Sequence, residues 1–580
     1  MTMNDKVGRK VTILYDESQL QPQSRLSMPH GPIMNRVDRA YTAQSTARSQ
    51  DDSVRTAVAT RRRFVAGEAF FNYDAFGSLR PEYAPIRLFS TAFLGLAVNG
   101  FMAGFVFTML RYGFRLLLAE VLRIDDEDFV TSVRFILEWS GSFSIFIGFL
   151  SDCRPIRGLR RKPYMMIGWA LAFLLFILIA VFDYTVAHTS DVLELNAVHT
   201  EEIRSRAIKY GRLLLAMSVF VALMLQLMYI TSLCMTVEFA QREPLRDRGK
   251  LQAVYFIIYY VAAGIAQGGS VLLIEADDGG HVRSNLALGD LALILAASCL
   301  VPIPFLMRFL DEPPITGTVH FSVRRRVHEL WRFCHQNVVI RILFFLVVYF
   351  FVIGLYNGNS RNAITTWCNI TLPKQPAVNA ADFFGYIVAL MFWIAQMVNW
   401  SWRRVAGIGS ICFVLGYILY TAMVVFDIVR GDWFYILMVS LLDMPNAWIK
   451  LYTVVLSTEI ADNGREGVTL GLVFALQVMV GITAHMLSSK LGNWLPFEVS
   501  TSQVIADSQD TRNKVFSGAI VVFAINALAL FMVFVLPDQK LDAQQLRAFG
   551  GYNRYASYGI AAGFIVLFIG HSAVNLARLA

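Results

Sequence analysis

Apolar runs recur along this 580-residue chain at close to the ~20-residue length that carries an α-helix across a bilayer. They fall near 88–110, 130–150, 163–183, 213–237, 251–274, 286–307, 342–356, 383–401, 405–426, 433–457, 467–489 and 515–536. A thirteenth, near 557–577, follows the polar stretch Pro537–Ala556. Inside lipid each backbone polar group must find its partner within the protein, which long helices achieve on their own. The expected class is therefore an all-α polytopic membrane protein. Composition agrees: only 16% of residues are charged, against ~25% in soluble proteins, and the mean hydropathy is +0.50. Soluble domains could not hide that much apolar surface.

The formal charge of +8 invites a nucleic-acid reading, but in a membrane protein basic residues collect on cytoplasmic loops. With the N-terminus inside, the five inner loops hold 18 Lys/Arg in 67 residues and the six outer loops 12 in 108. That bias places the N-terminus in the cytoplasm, and no nucleic-acid partner is expected. The first outer loop, Asp125-Asp126-Glu127-Asp128, is acidic, and the sequon Asn369-Ile370-Thr371 falls on an outer loop. No short apolar signal-peptide core precedes the first run. Six scattered cysteines lack CxxC spacing, so neither a disulfide framework, a metal site nor a cofactor is expected. Residues 1–87, with 13 basic and 9 acidic side chains including Arg61–Arg63, are expected to be a disordered cytoplasmic tail. Six-helix bundles are expected over 88–309 and 341–536, a cytoplasmic loop over 310–340 between them, and a C-terminal extension over 537–580 with the possible thirteenth helix.

A faint repeat mirrors that division. The fourth run ends Thr236-Val237-Glu238-Phe239-Ala240 and the tenth ends Ser457-Thr458-Glu459-Ile460-Ala461. Each precedes a short charged turn and a Gly (Arg248-Gly249, Glu466-Gly467), the pattern left by parallel repeats in transporters. Between the second and third runs stands Gly148-x-x-x-Asp152-x-x-Pro155-Ile156-x-Gly158-x-Arg160-Arg161-x-Pro163-Tyr164. A small residue permits close helix approach, and an acid followed by a tight turn and an Arg pair can form a charge-assisted latch. This loop resembles the G-x-x-x-D…G-[RK]-[RK] loop of the major facilitator superfamily. In its expanded form it is similar to that of the folate–biopterin transporter family. Arg248-Gly249-Lys250-Leu251-Gln252 resembles that family's R-G-x-x-Q element. Glu459…Glu466-Gly467-Val468-Thr469 resembles its E…E-G-x-T element, with Val468 where Thr is usual. The resemblance implies a major-facilitator-type fold of two pseudo-symmetric six-helix bundles, with spans one, four, seven and ten lining a central cavity. It implies a secondary transporter of folates or reduced pterins, driven by protons or exchange. Gly148, Asp152, Gly158, Arg160 and Arg161 are then candidates for a conformational latch.

Ionisable groups inside a bilayer need a partner or a wet cavity. In span ten, Asp443, Asn446 and Lys450 share one helix face, about 10 Å separating the first from the last. Each either pairs with another helix or faces substrate. Lys450 could bind a carboxylate and Asp443 carry a coupling proton. Arg111 and Arg115 repel at i, i+4 unless an anion lies between them; the alternative is contact with lipid headgroup phosphates. Arg134 and Glu138 are expected to pair, with Glu138 a second proton-site candidate. Tyr356, Asn357, Asn359 and Arg361 offer a ring, two amides and a cation to a flat heterocycle, or simply end a helix. Gln226 and Tyr229 are the matching candidates in span four, with Glu238 structural, and His485 reads as a core histidine.

A small-molecule substrate and the lipid bilayer are the expected partners, for a monomer in the plasma membrane. Alternatives are a facilitator-type carrier of a sugar or other organic anion, and a non-transporting sensor. No H-E-x-x-H, G-x-S-x-G or Gly-Lys-Ser/Thr phosphate loop occurs, so an enzyme is not expected.

Overall fold

The computed structural model describes residues 2–4, 10–12, 78–115, 117–118, 127–194, 200–276, 282–284, 286–314, 323–371, 374–494 and 497–579. Two units separate at Ala59/Thr60. In the first, Thr2–Asn4 pairs with Lys10–Thr12 as a two-stranded antiparallel ladder. The rest of the expected tail up to residue 77, Arg61–Arg63 included, and most of the acidic loop lie outside the described residues.

The second unit is a polytopic membrane protein of long apolar helices. Spans one to six are Leu94–Phe114, Val133–Cys153, Lys162–Thr185, Tyr210–Ala240, Lys250–Val271 and Leu288–Arg308. Eight and nine are Gln375–Met397 and Trp402–Val425; eleven to thirteen are Glu466–Ser488, Gln509–Val535 and Arg554–Arg578. Span ten, Asp432–Ile460, runs 29 residues, about 43 Å at the helical rise, long enough to cross a bilayer but less apolar than the other spans. The seventh is broken: Asn337–Ile353 and Gly358–Trp367 meet at 52°. Asn357 caps the second piece, its side chain accepting from the Ser360 N–H. The polar run expected to end span seven thus starts a new helix instead.

Two irregularities fall beside polar side chains. Met109–Phe114, the last turns of span one, wind as a π-helix, an element that often carries functional residues. Pro445 lies inside span ten, where its missing N–H loosens the helix beside Asp443.

The two halves touch most extensively through two helix pairs. Span two crosses span eleven at glycines: the Gly148 α-carbon faces the Gly467 carbonyl, and Gly471 faces that of Ser144. Span five packs on span eight through Tyr260 stacked on Phe383, centroids 5.9 Å apart. At its far end, Asn379 donates to Gln267 at 3.1 Å. Span thirteen lies outside this assembly, with 11% of its most apolar stretch buried. Phe568 meets Phe143 and Phe146 of span two at 5.3 and 5.5 Å.

Three segments expected to be irregular carry structure. Val323–Cys334 forms a helix between the bundles, tied to the turn before span eleven by Glu329 and Arg465 at 3.3 Å. Lys540–Phe549 forms another; its Gln544 donates to Glu459 at 2.6 Å and its Arg547 pairs with Asp462. Residues 78–87 pack onto the bundles, with Arg80 and Leu79 buried, because Arg80 finds carboxylates there that a free tail would lack.

Candidate functional site

Two polar regions stand apart along the spans. The first closes the end that carries Asp152. Arg161, fully buried, donates through Nη1 to Ser151 at 2.6 Å and through Nη2 to Asp152 at 2.5 Å. The same Nη2 lies 3.4 Å from Glu466 of the other half. Asp152 also accepts the backbone N–H groups of Val468 at 2.8 Å and Gly467 at 3.3 Å. Arg80 joins from the N-terminal segment, bonding Glu466 and, at 2.9 Å, Glu238. Burial works against the Arg161 charge, yet Asp152 and Glu466 hold its guanidinium above the ordinary range. Tight turning at Ile156–Leu159 makes this geometry possible: Arg157 and Gly158 both take positive φ, which glycine accepts without strain.

The repeat-related region carries a second pair, Arg248 to Glu459 at 3.0 Å, with Gln252 donating to Thr458 at 2.6 Å. Gln241 reaches the Thr458 and Ala461 carbonyls. All of these bonds join one half to the other. Arg160 stands apart from them. Its guanidinium lies on Gly464, and its backbone N–H, with those of Arg161 and Lys162, donates to Glu312. Burial pushes the Glu312 carboxyl up, and those three N–H groups pull against it.

The second region lies deeper, with Lys450 about 15 Å along span ten from the Ile460 end. Glu138 accepts from Arg111 and from Arg134, the latter at 2.8 Å. The arginine side chains remain 41% and 29% exposed, and Arg111 stands within electrostatic reach of Lys450. In the other half, Asp443 accepts from Tyr417 at 2.8 Å and Asn446 at 3.3 Å. Lys450 sits over the Tyr386 ring, 4.5 Å from its centroid and 3.3 Å from its hydroxyl. Arg361 lies 5.2 Å from the Tyr356 centroid. Arg134 feels the charges of Arg111, Arg115 and Arg361, while Lys450 feels those of Asp443, Asp382 and Arg111. Among the described residues this cluster holds five cations (Arg111, Arg115, Arg134, Arg361, Lys450) and three carboxylates (Glu138, Asp382, Asp443). Arg111 Nε, Arg115 Nε and Asp382 Oδ1 are buried with no hydrogen-bond partner in the protein.

The expected candidates thus divide. Arg111, Glu138, Arg361, Asp443, Asn446 and Lys450 converge, and Arg115 joins through its field. Arg111 turns from Arg115 to Glu138, since a carboxylate relieves the repulsion an anion was expected to relieve. Asn357 is occupied as a helix cap, and Asn359 Nδ2 is buried without a partner. Gln226 bonds Ser144 of span two at 2.9 Å. Tyr229 sits among the rings of Phe107, Tyr259 and Phe474. His485 lies between Phe135 and Tyr356. Arg80, Asp382 and Tyr386 escape sequence reasoning; only Asp382, a lone acid at the head of an apolar run, left a visible signal.

No protein-family model and no curated protein matches the chain. Solved structures do. The human organic anion transporter MFSD10 (TETRAN) aligns with a TM-score of 0.50 at 12% identity, over 76% of this chain and 99% of that one. The major facilitator superfamily proton:xylose symporter XylE, bound to 6-bromo-6-deoxy-D-glucose, aligns at 0.50 and 15%, over 79% and 98%. A D-xylose-proton symporter aligns at 0.50 and 16%, over 77% and 97%. With its two joined six-helix bundles and added C-terminal helix, this multi-pass membrane chain has the major-facilitator fold.

Proposed function

We propose that the chain is a secondary active transporter of organic anions, working by alternating access, with folates and reduced pterins as its substrate class. The observation that carries the reading is the deep cluster, where five cations outnumber three carboxylates beside aromatic rings. An excess of two positive charges suits a carboxylate-bearing heterocycle better than a neutral sugar, since an unmatched buried charge costs several kcal/mol. Lys450, Arg111, Arg115 and Arg361 would take carboxylates, and Tyr386 and Tyr356 would stack the ring. Glu138 is committed to two guanidiniums. Asp443, held by the neutral donors Tyr417 and Asn446, is the better carrier for a coupling proton. The bonded Asp152 end would be the cytoplasmic gate, with the N-terminus on that side, on the basic bias of the adjoining loops.

Uptake of labelled folate, biopterin and sucrose into cells lacking their carriers, at several external pH values, tests this. Folate or biopterin uptake that is lost in Lys450→Ala, with the protein still in the membrane, is the expected result. Transport of sucrose alone would sink the anion reading.

A further inference from the structure

We infer that the groove between the inter-bundle helix and span thirteen binds one anionic glycerophospholipid, phosphate at Arg324 and Arg325 and acyl chain below. The groove encloses about 870 Å³, toward the upper part of the range usual for small-molecule sites. It lies at the Asp152 end of the molecule, distinct from the charge cluster between the bundles.

Its lining is ordered like a lipid. Along the helix Val323–Cys334, Arg324, Val327, Trp331 and Cys334 form one stripe at three- and four-residue spacing, and Arg325, His328 and Leu330 beside it also line the groove. Charge comes first, then an amphipathic ring of the kind that favours the membrane interface, then apolar surface. Ile560 and Phe564 of span thirteen complete the apolar wall. Trp331 is held in place, its ring 5.1 Å from that of Tyr558. Arg324 and Arg325 stand exposed at the rim, and the latter pairs with Glu329. The groove opens beside a helix that meets the bilayer, so lipid reaches it without crossing water. Basic side chains at a membrane surface attract anionic headgroups, which favours an acidic lipid over a zwitterionic one.

The occupant would also touch the machinery that joins the bundles. Ile145 and Leu472 line the groove floor, each next in sequence to the Ser144–Gly471 crossing. The same helix is tied through Glu329 to Arg465, one residue before Glu466. A lipid seated here braces spans two and eleven in the joined arrangement.

Brominated lipids quench nearby tryptophan fluorescence, and Trp331 is inside the groove. The full chain is placed in single-copy nanodiscs containing brominated phosphatidylglycerol or brominated phosphatidylcholine, with Trp331→Phe defining the share due to that ring. The phosphatidylglycerol titration should half-saturate Trp331 quenching at about a tenfold lower mole fraction than phosphatidylcholine. Arg324→Gln with Arg325→Gln should erase that difference, and the double Lys replacement should keep it. Equal titrations by the two lipids, or a preference that survives the Gln pair, would overturn the inference. Protection of Trp331 in discs holding two copies would overturn it too, assigning the groove to a second chain.

Discussion

Gly148 and Gly467 face each other across the joint between the two bundles, so closely that neither has room for a β-carbon. The Gly467 N–H, from the same point of contact, reaches Asp152. Close approach and ion pairing are therefore one device: without the glycines, Asp152 could not accept bonds from the first turn of span eleven.

Gly148→Ala should push the two spans apart. A methyl against backbone cannot be relieved by a rotamer change, and overpacking of this kind typically costs about 1–3 kcal/mol. The expected outcome is a lower Tm in detergent, together with faster labelling of a cysteine placed at Val468, which is buried in the first turn of span eleven. A variant as stable and as closed as the wild type would show that the glycines are incidental.

Asp152→Asn should cost more. The carboxylate serves Arg161 and two backbone N–H groups at once, and breaking one side of a buried pair costs roughly 3–5 kcal/mol. Substrate affinity should hardly change, because the deep cluster is separate, whereas cycling should slow. A double-mutant cycle with Arg161→Gln measures the coupling. Additive effects would deny that the two residues act as a pair.

The helical spans were legible in the sequence because a bilayer imposes one length and one polarity on every crossing. The break at Gly354–Asn357 was not, since Gly and Asn there read equally as a helix end or a cap. The motif around Asp152 announced a charged turn, but not which arginine answers the acid. Arg160 and Arg161 are neighbours in sequence, and only the turn at Gly158 decides that one points inward. Arg80 was hidden altogether: a basic residue in a polar segment looks solvated until Glu238 and Glu466 are brought to it from 158 and 386 residues away. Among the deep residues, side chains on one helix could be grouped by periodicity. Pairings between helices, such as Lys450 with Tyr386, needed the fold.

Asp443→Asn should separate coupling from binding. The amide keeps an oxygen for Tyr417 and leaves the cations free to hold an anion, but it has no carboxyl to carry a proton. In proteoliposomes, an inward pH gradient should no longer drive accumulation above equilibrium, while exchange of labelled for unlabelled substrate continues. Gradient-driven accumulation by the variant would remove Asp443 from the proton path.

Outside the spans, Lys540 and Glu243 should make stability depend on pH in opposite directions on either side of neutrality. Lys540 is fully buried, donating to the Leu245 carbonyl at 3.2 Å and to Asn399 at 3.4 Å. Burial pulls its ammonium down to about 7, against the attraction of Glu459 and Glu243, and Arg248 pulls the same way as burial. Its unfolded value is near 10.4. Between about pH 7 and pH 10 the unfolded chain binds more protons at this residue than the folded one, so stability rises with pH across that window. Glu243 runs the other way: burial lifts its carboxyl to about 7 although Gly249 and Leu251 donate to it. The folded state then holds the extra proton between about pH 4.5 and 7, so stability falls as pH rises there. Thermal melting against pH should therefore show a minimum near neutrality, with Lys540→Met flattening the alkaline limb and Glu243→Gln the acid one. A melting temperature that stays level from pH 5 to 10 in the wild type, or limbs that survive these substitutions, would place the titration elsewhere.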